Sequence, residues 1–449
     1  MISFLQNMNK RLLVILALGA VALVSCIPGN VVESGDFPDI YPDYVGVTVP
    51  EGIADLNFDM ADGRACKVAV TTEGDTRFYE VTAWKKGAKT ATRYAKFPVY
   101  VSHDAIDPYI AYRLIEPGYE NWHDMGLYQR ELASFKETPI ATNQVNNRGC
   151  VNCHTFDAGN PDRFIFHARG TGGGTVFVDG DNAKKINLAT VAAKRQGVYP
   201  AWHPDGRYIV FSSNKTFQRF SINDSQPIEV FDESSDLIIM DTQTDSTMLI
   251  AGMSDPHRLE TFPSWARDGK TLYYCCADGD SIGCEDRSHI FYRLMADEFD
   301  GSAFTGEPRT VIQYDSASVS FPRVNGDWLL FTKSDYGTFP IWHREADLYL
   351  LNLSTGEVKA ADALNSPDTE SYHSWSSNGK WVLFSSRRDD GRYTRLYIAH
   401  FDGNGNFTKP FMLPQKRAVD NQYRLQSYNV PDFISGEVKD RFKQLHKLF

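Results

Sequence analysis

The chain has 449 residues, with 46 Lys and Arg against 57 Asp and Glu, a net charge of −11, and a hydrophobic share of 42%. An acidic balance argues against a nucleic-acid partner and against a polybasic role at a membrane surface. The length suffices for two cores or one large repeat array, and 13% aromatic residues among many short β-rich runs point to an all-β architecture.

Lys10 and Arg11 precede an apolar run from Leu12 to Val24, the order of a secretion signal, and the run is too short to span a bilayer. Leu23-Val24-Ser25-Cys26 resembles a bacterial lipobox, which implies removal of residues 1–25 and acylation of Cys26 as the first mature residue. That removal takes Lys10 and Arg11 with no acid and moves the net charge from −11 to −13. The expected address is the cell envelope, lipid-anchored in the outer membrane and facing the periplasm, because no acidic run follows Cys26. Residues 26–39, with Pro28, Gly29, Asn30, Ser34 and Gly35, read as a tether.

Residues 40–102 carry strand-like runs at Val45–Val49, Cys66–Thr71, Phe78–Val81 and Phe97–Val101, separated by Asp62-Gly63, Glu73-Gly74 and Lys86-Gly87. They predict a small β-sandwich-like domain in which Cys66, alternating with Val68 and Val70, is a buried thiol. Residues 103–149 read as an aromatic connector, with one short helix around Leu127, Arg130, Glu131 and Leu132 ending before Thr138-Pro139.

Cys150-Val151-Asn152-Cys153-His154, in a loop at residues 150–159, spells C-x-x-C-H. Two thiols at i and i+3 suit addition to two porphyrin vinyl groups, and the imidazole at i+4 then ligates the iron from one axial side, so the motif reads as a site for one covalent haem c. A zinc half-site, a redox dithiol and a structural disulfide are the rival readings. Zinc wants a second Cys/His pair at ligand spacing, and none is evident.

After this motif the sequence repeats. Pro200-Ala201-Trp202-His203-Pro204-Asp205-Gly206-Arg207-Tyr208-Ile209-Val210-Phe211 returns from Pro263 as a Pro-Ser-Trp segment with Asp268-Gly269, and from His373 as a His-Ser-Trp segment with Asn378-Gly379. A form two residues shorter runs from Pro322 to Phe331. A strand ending in Trp, a tight Asp-Gly or Asn-Gly turn and an alternating apolar strand make a hairpin. A second hairpin follows in each unit, such as Asp347–Leu351 with Glu357–Ala360. A lone four-stranded sheet cannot bury both faces, so the units are expected to pack radially as a five- or six-bladed β-propeller over residues 160–434, closed by Asn429–Ile434. Asn160–Ala168 and Thr175–Asp179 begin the first blade, with the C-x-x-C-H loop standing where other blades carry their Trp strand. In residues 435–449, Val438, Phe442, Leu445 and Leu448 at helical spacing predict a C-terminal amphipathic helix.

The repeats resemble those of TolB-like β-propellers (Pro-x-Trp-Ser-Pro-Asp-Gly-Lys-x-Ile-x-Phe), and the whole chain resembles the TolB-like lipoproteins that carry a single c-type haem motif. That resemblance specifies fold and says little about activity. Propellers of this type also precede α/β-hydrolase domains, but only 15 residues follow the last predicted strand.

His154 is the expected proximal ligand. For the sixth position His167, on the strand directly after the motif, leads; His203, His123, Met125, Met240, Met253 and an open site are the alternatives. Arg169, Arg148 and Arg163 are candidates to pair haem propionates. Arg169-Gly170-Thr171-Gly172-Gly173-Gly174-Thr175 lacks the spacing of a P-loop or dinucleotide fingerprint and reads as a hairpin loop. Cys275, Cys276 and Cys284 flank Asp278–Gly283, and in an oxidising compartment one of the adjacent pair, taken as Cys276, is expected to bridge to Cys284. The functions these features imply are electron transfer or redox sensing with a docked protein partner. The other class is a non-redox envelope scaffold that recognises protein or glycan.

Overall fold

The computed structural model describes residues 27–116, 124–186, 188, 197–220, 228–279 and 288–449. The signal segment and Cys26 lie outside the described residues, as do His123 and Cys284. The described chain is dominated by strands and separates into two compact units.

The smaller unit spans residues up to Tyr41 together with Asp59–Pro98. Its long hairpin, Ala65–Glu73 with Thr76–Trp84, turns at Gly74-Asp75, and Thr90–Arg93 adds to one edge and pairs in parallel with Asn30–Glu33. The residues read as a tether thus supply a strand of this sheet. Cys66 is half-buried rather than buried, because the outer hairpin face also leaves Val68 and Val70 37% and 50% exposed.

The larger unit holds six four-stranded antiparallel sheets. Blade 1 is Val151–Phe156, Arg163–Ala168, Gly174–Asp179 and Asn182–Lys185, and blade 2 is Val198–Trp202, Tyr208–Phe220, Ile228–Asp241 and Ser246–Leu249. Blade 3 is Arg258–Trp265, Thr271–Asp278, Arg293–Glu298 and Arg309–Ile312, joined to blade 2 by a single bridge between Ser235 and Leu259. Blades 4 and 5 begin at Ser318–Asn325 and Glu370–Trp375. Blade 6 takes its inner strand, Ser427–Ile434, from the end of the chain and its outer three, Tyr109–Ile115, Gly126–Glu131 and Glu137–Thr142, from residues before the first repeat. The inner strands touch their neighbours in a closed cycle, so the unit is a propeller sealed by the pairing of Ser427–Ile434 with Tyr109–Ile115.

Two expectations are corrected here. Residues 103–149 are not a connector with a helix. Leu127, Arg130 and Glu131 lie in a strand, since an edge left open by Ser427–Ile434 outweighs the weak helical spacing. The C-terminal helix shrinks to Phe442–His446, with Val438 and Leu445 buried and Phe442 40% exposed.

Every inner strand carries the same irregularity. The ladder shifts register between Asn152 and Thr155, Val198 and Ala201, Thr261 and Ser264, Ser320 and Arg323, Ser371 and Ser374, and Asn429 and Asp432. The bulged residues Cys153, Tyr199, Phe262, Phe321, Tyr372 and Val430 all have φ between 47° and 51°, a left-handed conformation that non-glycine residues adopt only when their surroundings impose it. The next residue is Pro in blades 2, 3, 4 and 6, which suits a place where the ladder offers no partner to an N–H, and His154 or His373 in blades 1 and 5. Four bulged aromatics fill the axis, with ring centroids 4.5 Å apart for Tyr199 and Phe262, 3.9 Å for Phe262 and Phe321 and 4.8 Å for Phe321 and Tyr372.

The repeated Trp and turn glycine join neighbouring blades. Trp202 Nε1 donates to Thr155 O at 3.4 Å and Trp375 Nε1 to Arg323 O at 3.1 Å, each reaching back to the preceding blade. At the turns, Gly269 O accepts from His203 and Gly379 O from Asn325. A β-carbon at Gly379 would stand 2.0 Å from Asn325 Oδ1.

Candidate functional site

The C-x-x-C-H segment occupies the inner strand of blade 1 and the residue before it. The expected turn is an extended strand with one left-handed residue, because pairing to Arg163–Ala168 fixes the backbone on either side of Cys153. Gly149 makes this possible. A β-carbon there would lie 2.0 Å from Arg169 O, so only glycine lets residue 149 pass that close to the glycine-rich turn after Arg163–Ala168. The Arg169 N–H donates to Cys150 O at 2.8 Å, which ties the first thiol to the loop.

A cavity of about 1420 Å³ opens beside Cys150. Its wall includes Cys150, Asn152 and Arg169 of blade 1, Arg113 and Asn429 of blade 6, and the axial rings Tyr199 and Tyr372. The long hairpin of blade 2 supplies Thr216, Gln218, Phe220, Ile228 and Val230, and the loops of blades 4 and 5 supply Phe339, Ile341, Arg344 and Arg387 to Arg392.

Both motif thiols are unbridged and buried. Burial pushes the Cys153 thiol up against the pull of Arg169, the Tyr199 backbone and Arg113, so Cys153 sits among groups that line the cavity. His154 is 3% exposed, turned toward blade 6 and edge-on to Phe156 with ring centroids 6.0 Å apart. Burial, then the charge of Arg113, lowers its pKa to about 3, so the ring is neutral. Neither Nδ1 nor Nε2 makes a hydrogen bond of normal geometry, although the Ala111 backbone of blade 6 comes near enough to act on the ring. His373, at the equivalent place in blade 5, is equally buried and also lowered to about 3, yet its Nε2 is paired with Leu330 O of blade 4 at 2.9 Å.

His167 does not face His154. It alternates with Phe164, Phe166 and Ala168, which pack toward blade 6 with Val151 and Phe156, and shares the opposite face with Ile165, which packs on Ile209 and Phe211 of blade 2. Its Nδ1 is paired with Thr175 Oγ1 at 2.9 Å, and Thr175 Oγ1 in turn donates to Gly197 O at 3.2 Å. Blade 1 therefore separates the two imidazoles, and a bis-histidine site from this pair needs a rearranged strand.

The other candidates are dispersed. His203 pairs with Gly269 O at 2.9 Å and Asp205 at 2.7 Å, as a blade-joining residue. Met125 is buried, and Met240 and Met253 are buried in cores that do not include Cys150. Arg148 is exposed and outside the cavity wall, and Arg163 is held by Asp157 and Gly206 O and lies 4.8 Å over the Trp202 ring. Only Arg169 of the three arginines lines the cavity. Cys276 is buried with Sγ 3.8 Å from Arg293 Nη2, and its expected partner Cys284 lies outside the described residues.

Sequence reasoning passes over Arg113 and Asn152, which sit far from the motif or inside it without bearing on its chemistry; the closing of blade 6 over blade 1 brings Arg113 to the site. The reading that no Gly-x-Ser-x-Gly occurs in the sequence is wrong: Gly279-Asp280-Ser281-Ile282-Gly283 has that spelling, and its last four residues lie outside the described residues. The strand before it, Thr271–Asp278, belongs to an antiparallel blade, not to the strand-to-helix turn a nucleophile elbow requires. Among the described residues no group of three or more His, Cys, Asp or Glu is placed to hold a metal ion, and no helix is long and apolar enough to cross a membrane.

No protein-family profile and no curated protein matches the chain. Solved structures do. A putative TolB from Agrobacterium tumefaciens is 12% identical with a TM-score of 0.42, over 69% of this chain and 89% of that one. An oligogalacturonate lyase in complex with manganese is 11% identical with a TM-score of 0.39, over 69% and 74%. Puromycin hydrolase is 11% identical with a TM-score of 0.40, and the match spans 57% of that enzyme. The propeller assignment rests on the chain's own six sheets and closed ring of inner strands.

Proposed function

We propose that the chain is an envelope lipoprotein carrying one covalent haem c on its propeller, and that it exchanges electrons with, or reports redox state to, a protein docked on that propeller. The observation that carries this reading is the His154 imidazole, buried and neutral with neither nitrogen in a hydrogen bond of normal geometry, where its counterpart His373 has its Nε2 bonded to Leu330 O. The fit is partial: Cys150 is a free thiol on the wall of a cavity with room for a porphyrin and Arg169 lies on that wall for a propionate, whereas Cys153 and His154 are buried behind it, so haem attachment requires the inner strand of blade 1 to open. When bound, haem supplies reversible one-electron chemistry at its iron, tuned by axial ligand and burial. The chain's own part is to hold His154 neutral through burial and Arg113, and to exclude water with the packed rings of Tyr199 and Tyr372. The lipobox at Cys26 supports attachment in the compartment where c-type haem is made, and an anchor facing the periplasm.

A second reading has its own observation. Cys153-His154-Thr155-Phe156 fills the place of Tyr199-Pro200-Ala201-Trp202 and its equivalents, so two of the five motif residues, Cys153 and His154, also serve the bulge. On that reading the propeller is an envelope scaffold for protein or glycan. A pyridine haemochrome spectrum of protein expressed with cytochrome c maturation machinery decides: the thioether-type spectrum is expected, and a haem-free product rejects the first reading in favour of the second.

A further inference from the structure

Two guanidinium groups in the propeller lack the partner their burial demands. Arg113 is 7% exposed, its Nε has no hydrogen-bond partner, and with the Asn429 amide turned to satisfy both groups its Nη2 donates to Asn429 Oδ1 at 2.9 Å. Arg169 Nε is likewise buried and unpartnered. Neither arginine has a carboxylate within ion-pair distance among the described residues, and both line the cavity beside Cys150.

Arginine cannot shed its proton to escape burial, so an unpaired guanidinium in a core is a standing cost unless an anion arrives. The acid whose field reaches Arg169 is Asp232. It is itself pushed up to about 7 by burial and bonded to Asn214 and Tyr292, so it offers less than a full negative charge near neutral pH. The rest of the wall is mixed: Tyr199, Tyr372, Phe339, Ile341, Ile228 and Val230 present rings and branched chains, while Glu116, Asp368, Asp389 and Asp390 stand with Arg344, Arg387, Arg388 and Arg392. A planar fork matches a carboxylate, and the apolar part of the wall matches the body behind it.

We infer that Arg113 and Arg169 form a binding site for a carboxylate borne on an apolar or aromatic body at the inner end of this cavity. Haem propionates and a free aromatic carboxylic acid share that chemistry. The site goes beyond the haem reading, because it exists in the chain whether or not haem is attached.

The test uses the full-length mature chain made with and without the maturation machinery. In haem-free protein, calorimetric titration with 2-naphthoate is expected to show one saturable site, at least tenfold weaker for uncharged 2-naphthamide and at least tenfold weaker in Arg113→Gln and Arg169→Gln. In haem-loaded protein, loss of 2-naphthoate binding together with a shift of midpoint potential in the two variants assigns the site to the propionates; unchanged binding assigns it to a free acid. If no covalent haem forms yet 2-naphthoate binds as described, the haem reading fails and the site stands. The inference is overturned if naphthoate and naphthamide bind alike, if both variants bind as wild type, or if nothing binds and the variants leave the potential of loaded protein unmoved. Arg113→Met supplies an independent check. Removing an uncompensated buried charge should hold or raise the melting temperature of haem-free protein, and a clear fall would show that Arg113 is a structural group with a protein partner.

Discussion

Glu260, on the inner strand of blade 3, is fully buried with no hydrogen bond of normal geometry to its carboxyl oxygens, and the nearby backbone of Asp255 and the charge of Arg258 offset its burial only in part. Burial raises its pKa from 4.5 to about 8, so in the folded protein it is a neutral acid at neutral pH, while in the unfolded chain it ionises above 4.5. Below 4.5 both states are protonated and folding pays nothing for the group. Between 4.5 and about 8 only the unfolded state releases the proton, so stability falls as pH rises, and above 8 the loss is complete. At about 1.4 kcal/mol per pH unit the full loss is about 5 kcal/mol as an upper figure. Glu260→Gln keeps the shape and removes the titration. Denaturant unfolding of wild type and variant at pH 5, 6.5 and 8 should show near-equal stability at pH 5 and a growing advantage for the variant, reaching at least about 2 kcal/mol at pH 8. Asp232 and Asp432, each raised to about 7 by burial, titrate in the same window, and the difference between the two proteins cancels them. A difference that stays flat from pH 5 to pH 8 would refute the claim that Glu260 is buried as the acid.

Three further outcomes are expected. Gly149→Ala drives a β-carbon into Arg169 O, so it should cost at least about 2 kcal/mol and lower covalent haem yield by moving Cys150, read by denaturation and haemochrome content. Arg388→Leu strands the fully buried Glu370, whose carboxylate lies 3.0 Å from Arg388 Nη2, and should cost about 3 kcal/mol in urea unfolding, with Glu370→Gln/Arg388→Leu recovering part of it. In haem-free native protein, iodoacetamide should label Cys66 first. Cys153, Cys275 and Cys276 should react only after unfolding, since burial pushes all three thiols up, Cys276 to about 12.

The propeller was legible because its repeat is a packing device. Trp202, Trp265 and Trp375 and the Asp-Gly or Asn-Gly turns recur at positions where one blade touches the last. The six-fold bulge was not legible, because its residue varies from Tyr199 to Val430 and only the backbone conformation is shared. Blade 6 stayed hidden for a related reason: Tyr109–Thr142 carries no Trp motif and finds its inner strand some 300 residues later, a pairing that local spacing does not announce. At the site, Cys150, Cys153 and Arg169 were readable from the motif and its neighbouring loop. The placing of His167 behind the sheet depends on the bulge at Cys153, and Arg113 enters only through the ring closure.

That closure also bears on access to the motif. His154 lies between blade 1 and the strand Tyr109–Ile115, and that strand gains its inner neighbour only when Ser427–Ile434, some 300 residues further along the chain, pairs with it. Without that pairing the strand Tyr109–Ile115 has no inner neighbour, and the face of blade 1 that carries His154 loses its cover. In the closed ring Cys153 and His154 are buried, while Cys150 and Asn152 still line the cavity. A chain truncated before Ser427 lacks the inner strand of blade 6, so it should leave Cys153 and His154 open to modification that the intact protein resists.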